Sequence, residues 1–168
     1  MSTDEKILLE ATLCFPVRDG NVLLGFKTSK IGKDCWNGYG GGIEKGERAV
    51  EAAVRELGEE CGLRTTPNHL EKIAVVDFHN VTSDGEIFTC RVHAYIVTSW
   101  EGVALESDEM LAPTWFPANA LPTKMMLADQ FWLPLALSGK KIVAEAHYGP
   151  RQQTLLCDVI AREVTEFP

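Results

Sequence analysis

The chain has 168 residues, 45% of them hydrophobic, and a formal net charge of −8 from 24 acidic and 16 basic side chains. That size supports one domain with a core of its own, expected over residues 1–168. The acidic balance argues against a nucleic-acid polymer as partner, because phosphate neutralisation needs a basic stripe; a small phosphorylated ligand bridged to carboxylates by a divalent cation remains open.

From Ile7 to about Val17 the residues are rich in strand formers. Arg18-Asp19-Gly20-Asn21 reads as a turn, and Val22 to Phe26 as the returning strand. Ile31 to Gly46 is dense in glycine, which predicts an irregular loop whose backbone closely approaches something else. A helix is predicted over Arg48–Cys61, with Val50, Ala53, Val54, Leu57 and Cys61 on one apolar stripe and Gly62 as a left-handed cap. Strand-like segments follow at Glu71–Phe78, Ile87–Thr98 and Ala112–Phe116, with a turn at Ser83-Asp84-Gly85. A second helix is expected over Asp129–Ser138, capped by Gly139; Pro134 leaves its start open, since proline is tolerated near a first turn. Lys141–Tyr148 and Gln152–Val159, joined by Gly149-Pro150-Arg151, read as a closing hairpin. Strands mixed with two helices predict an α/β sandwich rather than a repeating βαβ array.

The five cysteines (Cys14, Cys35, Cys61, Cys90, Cys157) form no Cys-x-x-Cys pair, so neither a zinc site nor a disulfide framework is expected, and a reducing compartment is. The N-terminus lacks the features of a signal peptide and no apolar run reaches membrane-spanning length. A cytoplasmic protein with no membrane partner is the expectation. His69, His79, His93 and His147 have no shared metal-ligand spacing. Trp100, Trp115 and Trp132 read as packing anchors, Trp36 as an anchor or a base stacker, and Cys61 as a core thiol.

The chemistry concentrates on the first helix. Glu56, Glu59 and Glu60 stand at i, i+3 and i+4, so they project from one side, next to the apolar stripe. Three clustered carboxylates repel one another unless a cation neutralises them, and hard oxygen ligands favour Mg²⁺ or Mn²⁺. A solvated acidic face is the ordinary alternative. The surrounding sequence decides between them. Gly41, then five residues, Glu47, then seven residues, and Arg55-Glu56-Leu57-Gly58-Glu59-Glu60-Cys61-Gly62-Leu63 resembles the Nudix box at all nine of its specified positions.

The resemblance implies the Nudix fold, an α/β/α sandwich around a mixed β-sheet, and a metal-dependent diphosphohydrolase. Glu56, Glu59 and Glu60 would hold the metal, with the Gly41 carbonyl as a further ligand, and Glu47 and Arg55 would form the ion pair that aims them. Metal-assisted attack of water would split a nucleoside triphosphate between its α and β phosphates, with Glu59, Glu60 or Glu109 taking the proton.

Beyond the box, Trp36-Asn37-Gly38-Tyr39-Gly40-Gly41, Glu106-Ser107-Asp108-Glu109-Met110 with Trp115-Phe116, and Phe131-Trp132-Leu133-Pro134 resemble the oxidised purine nucleoside triphosphatases within that family. In that likeness Glu109 approaches the metals, and Thr12, Lys27, Asn37, Phe78 and Asp129 line or border the nucleotide pocket. The chain departs from that group at Met126-Leu127-Ala128-Asp129, where a stacking tryptophan and two adjacent aspartates are usual. Met126 could replace the stack loosely, and Ala128 offers no side-chain hydrogen bond. Gly42 replaces a common lysine. The substrate is thus expected to be a small nucleotide: an oxidised purine triphosphate such as 8-oxo-dGTP, or alternatively a dinucleoside polyphosphate, ADP-ribose or capped RNA end. A catalytically silent ligand-sensing module is the alternative from another class.

Overall fold

Asp19 and Gly20 take φ values of 52° and 78°, the left-handed pair that a tight hairpin turn requires. In the computed structural model, which describes residues 7–168, this turn joins β1 (Glu10–Arg18) to β2 (Asn21–Lys27). Only Val17–Val22 and Arg18–Asn21 pair across it. β2 then diverges to lie between β6 (Met110–Pro117) and a short β3 (Trp36–Asn37), both antiparallel. The divergence opens a cleft between β1 and β2 beyond the hairpin.

The free side of β1 pairs in parallel with β5 (Ile87–Val97), which pairs antiparallel with β4 (Leu70–Val81). β4 runs parallel to β7 (Ile142–His147), and β7 antiparallel to β8 (Ile160–Glu163). The sheet is therefore mixed, with β3 and β8 at its ends. Helix α1 (Ala49–Cys61) covers one face over Cys14, Leu23, Tyr39 and Tyr95. Helix α2 (Asp129–Leu137) covers the other, where Trp132 and Leu133 pack on Phe15, Val76 and Ala144. Burial of each such large side chain contributes about 1.5–3 kcal/mol. The expected α/β/α layering is what forms.

Helix α1 starts one residue later than predicted. Arg48 is its extended N-cap, and its backbone amide donates to the Glu51 carboxylate at 3.1 Å. Ala52, Ala53, Leu57 and Cys61 are buried, while Val50 and Val54 are half-buried. Gly62 closes the helix at φ 78°, its amide donating to the Gly58 carbonyl. In α2, Pro134 lies inside the helix instead of near its start.

The predicted closing hairpin does not form. Arg151 and Gln152 both take φ 57°, which ends extended backbone, and residues 153–159 are irregular apart from a single bridge between Tyr148 and Leu155. The strand that pairs with β7 is Ile160–Glu163, beyond the predicted segment. Among the described residues no helix is long and apolar enough to cross a membrane.

Candidate active site

The glycine loop is pressed between β1 and α1. The Thr12 amide donates to the Gly41 carbonyl at 2.8 Å, and the Tyr39 amide to the Cys14 carbonyl at 3.0 Å. A Cβ at Gly40 would strike the Thr12 carbonyl, and one at Gly41 would lie 2.6 Å from Glu56 Oε1. At Gly40 only hydrogen fits, and at Gly41 a Cβ would have to displace the Glu56 carboxylate, the close approach that the loop's composition predicts.

Arg55 links the loop to the helix. Its Nε and Nη2 donate to the two Glu47 oxygens at 2.9 and 3.0 Å, Nη2 also to the Gly42 carbonyl at 3.0 Å, and Nη1 to Glu56 at 3.0 Å and Glu59 at 3.3 Å. The Arg55 hydrogen bonds hold the Glu47 carboxyl down at about 2. Such a bidentate fork fixes direction as well as charge.

Beside it lies a cavity of about 520 Å³ lined by Glu56, Glu59, Glu60 and Glu109, together with Lys27, Lys30, Asp108 and the Gly40–Gly42 backbone. Glu109 arrives from the loop before β6, which Thr28 ties down by donating to the Asp108 carbonyl at 2.7 Å. Burial pushes the Glu60 carboxyl up to about 8, against the Gly40 amide that donates to it at 2.6 Å and with the Glu56 and Glu109 charges adding to the rise. Burial raises Glu56 as well, opposed by Arg55. The donors are all hard oxygens, and a divalent cation would offset the repulsion that raises these groups, so the set fits such an ion. Among the described residues no three of these groups already converge as a metal cluster. Glu56 and Glu60 are instead engaged by Arg55 and the Gly40 amide. The Gly41 carbonyl accepts from the Thr12 amide at 2.8 Å and from the Thr12 hydroxyl at 3.5 Å.

A second cavity of about 200 Å³ continues from the first through Lys27, Gly40, Gly41 and Glu60. Thr12, Asn37, Phe78, Met126, Asp129 and Gln152 line it. Lys27 stands where the two cavities meet; burial lowers its ammonium while Glu60 and Glu109 pull it back up. Asn37 accepts the Gly38 amide on Oδ1 at 2.9 Å. Phe78 is stacked on Tyr148 with ring centres 5.9 Å apart, so it serves the core and the cavity at once. Asp129 is buried, receives Trp132 Nε1 at 3.2 Å, and is pushed up to about 7 by its burial.

A NUDIX domain model matches residues 8–135. The chain belongs to the NUDIX family. It is 41% identical over 133 residues to the oxidized purine nucleoside triphosphate hydrolase of Danio rerio, covering 79% of this chain and 81% of that one. The protein of the same name from Mus musculus is 34% identical over 157 residues, covering 93% and 96%. Among solved structures, the MutT protein of Bacillus halodurans superposes with a TM-score of 0.75 at 24% identity, covering 92% of this chain and 97% of that one. The MutT NUDIX hydrolase of Burkholderia pseudomallei gives 0.65 at 26% identity, covering 79% and 98%.

In this Nudix chain Gly41, Glu56, Glu59, Glu60 and Glu109 line the first cavity and Thr12, Lys27, Asn37, Phe78, Met126 and Asp129 the second, whereas Glu47, Arg55 and Trp36 line neither. Ala128 does not face the pocket. It is fully buried, and its amide takes the Tyr148 hydroxyl as acceptor at 2.8 Å. Trp36 packs edge-on against Phe26 and Phe116. Trp132 is wholly buried, whereas Trp115 is 40% exposed and stacks with Trp100 beneath Arg18. Cys61 is a core thiol, pushed up to about 11 by burial. Sequence reasoning missed Lys30, in the loop after β2, and Gln152, at the end of a one-turn 3-10 helix (Pro150–Gln152), where no periodicity marks a facing side chain.

Proposed function

We propose that this Nudix hydrolase cleaves purine nucleoside triphosphates, oxidised ones such as 8-oxo-dGTP included, between the α and β phosphates. The products are the nucleoside monophosphate and pyrophosphate, and the role is cleansing of the nucleotide pool. The observation that carries the reading is continuity: a cavity lined by Glu56, Glu59, Glu60, Asp108 and Glu109 opens directly into a narrower pocket with apolar walls and a few polar side chains. The two vertebrate relatives, named for oxidised purine triphosphates, support the substrate class.

Glu56, Glu59, Glu60 and Glu109, with the Gly41 carbonyl, would hold a divalent cation; we assign Mg²⁺, with Mn²⁺ as its substitute. When bound, that ion neutralises phosphate oxygens, polarises the phosphorus and acidifies water. Glu59, Glu60 or Glu109 would take the proton of the attacking water. Lys27, between the cavities, pairs with phosphate oxygens. Arg55 and Glu47 touch no substrate and act as positioning residues for Glu56. Thr12, Asn37, Phe78, Met126 and Asp129 receive the nucleoside. Five free cysteines fit a cytoplasmic setting.

The test is hydrolysis with Mg²⁺ of a panel of normal and oxidised nucleoside triphosphates, with ADP-ribose and a dinucleoside polyphosphate included. Pyrophosphate release with the highest kcat/KM on oxidised purines is expected. Equal rates on oxidised and normal purines would remove the cleansing role. Tight nucleotide binding without turnover would point to a sensing module instead.

A further inference from the structure

The base end of the narrow pocket holds a polar group outside the Nudix box and its flanking motifs. Gln152 lines that cavity from the turn between β7 and β8, beside Met126 and Asp129. Its Nε2 donates to Asn80 Oδ1 at 2.8 Å. Asn80 is only 5% exposed and is itself fixed by donating Nδ2 to the Phe78 carbonyl at 3.0 Å. The chain of bonds sets the orientation of the Gln152 amide. Its donor side is turned to Asn80, and among the described residues Oε1 has no partner, on a side chain that lines the pocket. Asn37 has the opposite polarity, since its Oδ1 already accepts the Gly38 amide and its NH₂ has no partner among the described residues. Ala128, buried behind the wall, adds nothing to this surface.

We propose that Gln152 is a specificity-determining residue whose Oε1, oriented by Asn80, accepts a hydrogen bond from an N–H on the edge of the bound base. This rests on the nucleoside occupying the narrow pocket. The ligand class is then a base with a donor at that edge, either an exocyclic amino group or the N7–H that oxidation at C8 creates, in preference to one that only accepts there. A polar site of this kind discriminates because the wrong base leaves a desolvated acceptor unpaired.

The experiment measures kcat/KM with Mg²⁺ for dGTP, 8-oxo-dGTP, dITP and dCTP in the parent and in Gln152→Met, Gln152→Glu and Gln153→Leu. Gln152→Met keeps the length and removes the acceptor, Gln152→Glu keeps an acceptor, and Gln153→Leu changes the exposed neighbour. Gln152→Met should lose about tenfold on the preferred purine, through KM rather than kcat, with dCTP within about twofold. Gln152→Glu, which keeps an acceptor but can no longer donate to Asn80 Oδ1, should lose part of the selectivity, and Gln153→Leu should keep all of it. A loss confined to 8-oxo-dGTP identifies the N7–H; a loss on dGTP that spares dITP, which lacks the 2-amino group, identifies that amine. Equal losses on every triphosphate, or none on any, overturn the proposal. Calorimetric affinity for the corresponding monophosphates gives the same comparison where the parent releases no pyrophosphate, so that failure of hydrolysis and failure of base reading are distinguished.

Discussion

Arg55 grips Glu47 through two parallel hydrogen bonds of 2.9 and 3.0 Å while its third nitrogen holds Glu56 at 3.0 Å. One guanidinium thus joins the glycine loop to the carboxylate at the cavity wall. Lysine presents a point charge and cannot make that fork. Arg55→Lys and Glu47→Gln should each lower kcat/KM about 10–100-fold and raise the Mg²⁺ concentration needed for half-maximal rate. An unshifted metal dependence in both would show that the pair is only a surface bridge.

The carboxylates themselves should matter more. Glu56→Gln and Glu60→Gln are expected to cut kcat by about 100-fold or more, with nucleotide affinity measured in the absence of turnover largely kept. Full activity in both variants would end the metal-centred reading.

Two adjacent glycines should fail in different ways. At Gly40 a methyl group meets backbone, the Thr12 carbonyl, which cannot yield without moving β1. Gly40→Ala should therefore lower Tm clearly. At Gly41 the methyl meets the end of the Glu56 side chain at 2.6 Å. Gly41→Ala should stay folded and lose metal affinity, as thermal melts and metal titrations would reveal.

Stability should depend on pH with a defined sign. Asp129 rises from 3.8 to about 7 and Glu60 from 4.5 to about 8, both through burial. Between those values the folded protein holds protons that the unfolded chain has released, so stability falls as pH rises from about 4 to 8. Asp129→Asn should flatten the lower part of that slope, and added Mg²⁺ should raise Tm at pH 8 in the parent but much less in Glu60→Gln. Glu47 works the other way: its carboxyl is held at about 2, and the stability it lends is lost as pH falls from 4.5 through that value. Tm measured from about pH 2 to 8 in the parent, Asp129→Asn, Glu60→Gln and Glu47→Gln checks each sign.

Residue spacing alone placed Glu56, Glu59 and Glu60 on one side of a helix, the Asp19-Gly20 turn in its hairpin, and Gly62 at the helix end. These are short-range consequences of backbone geometry, settled within four residues of chain. Periodicity failed at the closing hairpin, where strand-forming side chains sit on a segment that Arg151 and Gln152 bend away from extended backbone. Which distant side chains face the cavity was decided by the sheet. β1 pairs in parallel with β5 and parts from β2, and around Lys27 two joined cavities form, one reached by Glu109 and the other by Asp129 and Gln152. Partners separated by 72 or 81 positions, as Gln152 is from Asn80 and Thr28 from Glu109, meet only once strand register is fixed. Local rules place a residue on its own element; only the packing of elements determines what it faces.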